Sequence, residues 1–451
     1  MSSKTKVKLS AWSLYLCNAS MFLYILWLFL PVLQNLTGLL GGLITIALFA
    51  VGILLDIDYL RTKGIELFLR ICAIILLPVC AFFFLHRGNN FLAFFFQHAM
   101  FWYPAAFCAY ARQKNDSRIT RGLLYALLFS VLLTSSTTIF WAIYCRVHNL
   151  DNYSRIISMG WIPEETADYI MRRNIGGYDL SYALGLSLPL ICALIHREKG
   201  WLRWAFVSAL LLLFLTLIAT DYSYAMLLAL ITLFVVLAAW MFRFIFGLFH
   251  CKLSLGISLL CTLPLLLLFF LFRMQLIDFG AWLFSALHLE NIADSFVEMR
   301  LVFTGQSSLI YQSDSRLIFF GYAWDSFLAS PLIGTLGRVN SVGVTNTLAE
   351  HYAALGLSGH SDVMDILASM GILGIIVILL LIYTACRGAF QGIRKSPSFP
   401  YIILMFCTLF CMCLGATMVY SREIMLMLCI GTLLLMQHEQ KHMTPVTNPT
   451  K

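Results

Sequence analysis

VMDILASMGILGIIVILLLIYTAC, residues 363–386, carries no charge after Asp365. Its length matches the ~30 Å hydrocarbon core of a bilayer. Stretches of the same kind recur along the chain, and of its 451 residues 61% are hydrophobic and 12% charged. Soluble domains run near half apolar and a quarter charged, so the composition points to a polytopic membrane protein. The spans read as roughly 11–33, 38–57, 67–85, 91–110, 122–145, 178–196, 202–220, 222–242, 253–272, 363–386, 398–418 and 421–437. The expected fold is all-α, with about twelve transmembrane helices and one large outer loop. Three parts follow: nine spans over 1–272, a loop with short helices over 273–362, then three spans and a tail over 363–451. The opening MSSKTKVKLS is basic, but the first span is too long for a signal segment and no small-residue cleavage site follows it. It is expected to remain as an anchor.

Positive charge orients these spans. Alternate loops hold Lys4, Lys6 and Lys8, then Arg61 and Lys63, Arg112 to Arg121, Arg197 to Arg203, Arg243 and Lys252, Arg387 to Lys395, and Lys441 with Lys451. That side is expected to be cytoplasmic, with both termini on it. Every lysine falls there, and the basic residues left outside are all arginine. A guanidinium forks onto phosphate or carboxylate oxygens whereas an ammonium is a point charge, so an arginine-only outer face suits a phosphate-bearing ligand. Ion pairs with the outer carboxylates account for it equally well.

Other chemistries find less support. The 13 cysteines sit in or beside the spans, and the Cys411/Cys413 pair has no histidine near it, so neither a disulfide framework nor a metal site is expected. No cofactor and no nucleic acid partner are expected. No charge falls near the middle of a span and no internal repeat is visible, which weakens a transporter or flippase reading. His98, inside FFFQHAMFWYP, reads as a packed imidazole bonded to a backbone carbonyl.

Polar groups gather in the outer segments. The loop from Arg146 to Tyr178 carries an EETADYIMRR run, in which Arg172 and Arg173 stand shortly before Gly176-Gly177. They suit a phosphate clamp, or ion pairs with Glu164, Glu165 or Asp168 on the same short helix. Asp221, Tyr222 and Tyr224 sit between two spans at the outer surface, where aromatic residues are common. The first half of the large loop has helical apolar spacing and is expected at the membrane interface. SDSRLIFFGYAWDSFLASPLIG, residues 313–334, follows. Asp314 and Ser315 can cap a helix from Arg316, and Ser330-Pro331 ends it. His351 comes next, then His360 immediately before the span at 363–386, with Ser361, Asp362 and Asp365 around it.

His360-Ser361, nine residues, Gly371, two residues and Gly374 resemble the H-[NSQ]-x9-G-x-x-G signature of the O-antigen ligase and Wzy-type polymerase superfamily. Arg316 through Trp324 to Pro331-Leu332-Ile333-Gly334 resembles the same superfamily's arginine-helix-proline segment. The resemblance implies a GT-C-like membrane glycosyltransferase of the bacterial inner membrane. Such enzymes take a glycan from undecaprenyl diphosphate and join it to an acceptor sugar at the periplasmic face, without metal and with inversion. They work in the bilayer beside flippases and chain-length regulators. Carried onto this chain, His360 is the candidate base and Arg316 a diphosphate ligand. Arg422, in MVYSREIML, matches a further arginine position; read without the superfamily it is a snorkelling arginine paired to Glu423. Arg172, Arg173, His351, Tyr224 and Asp365 complete the expected substrate-binding set. Ligases carry Ser/Thr-Arg where this chain has Ser223-Tyr224, and GGYDLSYALGLSLPL looks more like the polymerases of O-antigen and capsule repeat units. The acceptor is therefore expected to be a lipid-linked repeat unit, with lipid A–core as the alternative.

The topology is directly testable. A fluorescent protein fused after Lys451 should glow, and alkaline phosphatase fused after Arg338 should be active. The reverse pattern would invert every side assignment above.

Overall fold

The computed structural model describes residues 3–68, 91–114, 117–151, 164–248, 254–262, 271–286, 316–335, 361–396, 398–416 and 421–443, with isolated positions between them. Among these every regular element is helical. In chain order they are α1 (Ser3–Phe29), α2 (Pro31–Leu55), α3 (Phe91–Lys114), α4 (Ser117–Val147), α5 (Glu164–Arg172), α6 (Tyr178–Arg197) and α7 (Trp201–Thr220). Then come α8 (Ser223–Leu248), α9 (Leu255–Leu260), α10 (Arg273–Ala286), α11 (Arg316–Ala329), α12 (Asp362–Cys386), α13 (Phe399–Gly415) and α14 (Arg422–Met443). Among the described residues seven helices, within α1, α2, α4, α6, α7, α8 and α12, are long and apolar enough to cross a membrane. The protein is a membrane protein, all-helical over the described residues. Helices α3, α13 and α14 occupy three more of the expected spans, while most of the one expected at 67–85 lies outside the described residues.

Two expected spans differ in detail. The first ends at Phe29, not near residue 33, because Pro31 opens α2 and pushes Leu30 to extended backbone. The run at 253–272 starts with Ser254 capping Ile257, but α9 stops at Leu260 and a turn follows at Cys261–Thr262. Pro264 has no N–H, and its ring clashes with the carbonyl four residues back, which is that of Leu260.

The interior is organised on α6, whose residues from Leu180 to Leu190 are all buried. Small residues let its neighbours approach: a Cβ at Gly185 would meet Met412 Cε at 3.1 Å, and one at Gly431 would meet Leu190 Cδ2 at 3.1 Å. Lipid gives no hydrophobic drive between helices, so van der Waals contact of this kind carries the association.

Polar contacts at the helix ends sort the loops into two sets. At one end, Asp56 closes α2, accepts the Tyr59 amide (3.1 Å) and the Tyr110 hydroxyl (3.2 Å), and pairs with Lys114. Arg243 meets His196 at 3.3 Å, and Arg112 bonds to the Gln391 carbonyl. These contacts join loops that charge counting assigns to one side. At the other end, Asn35 meets Asp168, Tyr178 meets Tyr222, and Ser361 meets Cys413.

One feature of α12 decides where the loop before it can go. Gly371 sits inside this helix at φ +64° and breaks it. The Ile372 amide would ordinarily bond to the Ala368 carbonyl. It bonds instead to the Pro331 carbonyl (2.9 Å), Leu373 bonds to the Leu332 carbonyl (3.0 Å), and the freed Ala368 carbonyl accepts the Thr335 amide (2.9 Å). The turn after α11 is thus stitched into the break. A Cβ on Gly371 would lie 2.5 Å from the Leu332 carbonyl carbon, and one on Gly334 2.4 Å from the Met370 nitrogen. Both glycines also have left-handed φ.

Removing one partner of the Asp56–Lys114 pair leaves a largely buried charge uncompensated. Asp56→Ala should destabilise the protein by about 3 kcal/mol. Asp56→Asn with Lys114→Met should recover most of that loss in a thermal unfolding series in detergent.

Candidate functional site

Ser361 caps α12: its Oγ accepts the Met364 amide (3.2 Å) and donates to the Cys413 carbonyl near the end of α13 (3.2 Å). The residue that follows His360 in the chain is therefore pinned between two helix ends. Asp362 is buried beside it, and Asp365 lies in the next turn, its amide bonded to the Ser361 carbonyl at 3.0 Å. Four residues join Ala416 to Ser421, so α14 begins within about 17 Å of chain from the end of α13.

That beginning holds the densest charge set among the described residues of this end. Ser421 and Glu423 are buried, and the Ser421 hydroxyl donates to Glu423 Oε2 at 3.3 Å. Asp179, the second residue of α6, also takes a hydrogen bond from Ser421, and it shares the charge of Arg422 with Glu423. Both carboxylates stand in the first turn of a helix, where the macrodipole favours negative charge. One guanidinium faces both carboxylates, and Glu423 also has a backbone amide as donor. Asp179 is exposed at the head of α6. Arg422 does not extend to the boundary as a snorkelling side chain would. Its guanidinium lies over the Trp27 ring (5.1 Å), with Nη1 3.9 Å from Met100 Sδ.

Tyrosines wall the same end. Tyr178 and Tyr182 are 4.7 Å apart, Tyr178 meets Tyr222 at 5.5 Å, and Tyr182 meets Tyr224 at 6.4 Å. The Tyr224 hydroxyl donates to the Cys411 carbonyl, and its ring covers Gly415.

Arg172, the last residue of α5, and Arg173 just after it are engaged locally. Arg172 Nε pairs with Asp168 at 2.8 Å, the ion-pair alternative open in the sequence. Arg173 covers the Tyr169 ring at 3.2 Å, reaches the Trp141 ring at 5.0 Å and bonds to the Tyr169 carbonyl. The left-handed residue of the turn into α6 is Asn174 (φ +57°), not either glycine of the Gly176-Gly177 pair. Asn174 Nδ2 bonds to Thr134 (2.9 Å), Thr137 donates to the Asn174 carbonyl (2.6 Å), and Thr138 accepts the Gly176 amide (2.8 Å). Asparagine tolerates this backbone, and α4 holds its side chain and carbonyl in place.

His351 and His360 lie outside the described residues, as do Asp314 and Ser315; for Arg316 and His98 only the helical backbone is described. Charge patterning passed over Asp179, although an acid one residue into an apolar helix is its signal. The threonines at 134, 137 and 138 carry no signal, since they pass for ordinary members of an apolar span. No known protein family and no characterised protein matches the chain.

Asp168 supplies a pH test. The Asn35 amide, donating at 2.7 Å, and then Arg172 hold its carboxyl below the usual carboxylate range. A depressed carboxylate contributes stability above its unfolded value, near pH 4, and loses it as pH falls through the lower folded value. Protection factors for amides of residues 164–172, with the intrinsic pH dependence of exchange divided out, should therefore be higher at neutral pH and fall below about pH 4. In Asp168→Asn they should be low throughout and should not change across that range.

Proposed function

We propose that the protein is a membrane glycosyltransferase that polymerises undecaprenyl-diphosphate-linked oligosaccharide repeat units at the outer face of a bacterial inner membrane, with a GT-C-like arrangement of about twelve spans. The observation that carries this reading is the packing of Gly334 against Gly371's segment. These glycines belong to the two motifs that resemble the O-antigen ligase and Wzy-type superfamily, and each lies against the other motif's backbone. Helices α11 and α12 both run into that junction, so Arg316 and Ser361, the residue after His360 in the chain, stand at the far ends of two helices joined at one point.

The chemistry of the neighbouring helix heads supports the same reading. A diphosphate leaving group needs positive charge held in place as the anomeric bond breaks, and Arg422, oriented by Trp27, Asp179 and Glu423, supplies a fixed guanidinium. The exposed Asp179 carboxylate suits the hydroxyls of a sugar, and the half-buried Tyr178 and Tyr222 offer apolar ring faces to its C–H bonds. In the reaction the acceptor hydroxyl oxygen bonds to the anomeric carbon as the carbon–oxygen bond to diphosphate breaks. His360 takes the hydroxyl proton, a role suited to a group titrating near neutrality. Arg316 and Arg422 hold the departing diphosphate.

The test is deletion of the gene in its host, with the surface glycan run on a gel. Core carrying a single repeat unit, unrescued by His360→Ala, is the expected outcome. Loss of surface glycan with long polymer accumulating on undecaprenyl diphosphate would make the protein the ligase instead. His360→Ala and Arg422→Gln should each cost at least about 100-fold in transfer with purified lipid-linked donor. Full activity of a folded His360→Ala protein would remove the proposed base.

A further inference from the structure

We infer that residues 316–335 form a re-entrant hairpin whose tip, Pro331 to Gly334, lies inside the bilayer against lipid acyl chains. The inference does not depend on the proposed reaction. It begins with length. The part of α12 after the break, 372–386, has 15 residues and spans about 22 Å, short of the ~30 Å hydrocarbon core. The residues before Gly371 must complete the crossing, so the break lies below the membrane surface. The hydrogen bonds from Ile372, Leu373 and Thr335 hold the 331–335 turn at that same level.

Backbone chemistry permits this depth. Non-helical backbone survives in hydrocarbon only where its polar groups are satisfied by protein. Pro331 has no N–H to satisfy, its carbonyl and that of Leu332 are taken by α12, and the Gly334 amide bonds to the Ser330 carbonyl at 2.8 Å. The break and the turn each take up bonds that the other leaves open.

The side chains agree with the depth. Leu328, Leu332 and Ile333 are 56%, 65% and 47% exposed, an apolar face that water would disfavour. It is continuous with the exposed face of α12 below the break, at Ile372, Leu373, Ile376 and Val377, which belongs to a candidate membrane span. One occupant therefore covers both, the acyl chains around the span. The exposed carboxylate of Asp325 sets the upper limit. It stands six residues before Pro331, as Asp365 stands six before Gly371, so both lie about 9 Å along a helix from the junction. That puts the two carboxylates at one level, the head-group boundary.

The test uses the full chain in nanodiscs, with one residue at a time exchanged for an environment-sensitive dansyl amino acid. Quenching by nitroxide-labelled phospholipid is compared with quenching by aqueous iodide. A probe at Leu332 should behave like one at Val377, strongly quenched by the lipid and weakly by iodide. It should differ from one at Leu150 in the loop after α4. Iodide quenching at Leu332 equal to that at Leu150 would overturn the inference. With Gly371→Val the Leu332 probe should gain several-fold in iodide quenching as the junction opens, and an unchanged probe would show that the junction does not hold the tip. If that variant fails to accumulate, the unaltered chain still decides whether the tip is in lipid.

Discussion

A helix interrupted within a membrane needs partners for the peptide groups that the interruption frees, and the break at Gly371 finds them in one turn of the preceding loop. Much of this end of the bundle follows from that constraint. The 331–335 turn is held in the break, which directs α11 along α12, and the first half of α12 delivers Ser361 to the end of α13. Only glycine fits at the two points of closest approach, because each backbone turns left-handed where a Cβ would strike the other. The loop and the helix are thereby a single unit, and whatever stands at their two heads is positioned by the same junction.

The second organising feature is unequal polarity at the two ends of the bundle. At one end Asp56 is closed off by Lys114, Tyr110 and a backbone amide, and Arg112 bonds to a carbonyl. At the other end one cation, Arg422, faces two carboxylates, Asp179 and Glu423, with the Ser421 hydroxyl between them. The first set fastens helix ends, whereas the second leaves the Asp179 carboxylate exposed.

Much of this was legible in the chain. Span-length apolar runs, lysine sorted to one side and two motifs of polar and glycine residues all follow from local chemistry, while the limits at Pro31 and Pro264 lie inside the expected spans at 11–33 and 253–272. The candidate site was only half legible. Arg422 stood out, but its partner Asp179 is far from it in sequence, and an acid at the head of an apolar helix looks like an ordinary helix start. Arg172 was open between phosphate and an ion pair, and its contact with Asp168 depends also on Asn35, which holds Asp168 from another helix.

The sequence by itself determined the class of structure, because the length and hydropathy of each helix are local properties that the bilayer reads directly. The tertiary structure alone decided that the two glycine motifs are one object. Gly371 reads as a tolerated small residue in an apolar span, and Gly334 as the end of a loop turn. Only when α11 and α12 lie together does each backbone become the hydrogen-bond partner that the other lacks, and a bond between residues 331 and 372 leaves no trace in the local pattern around either.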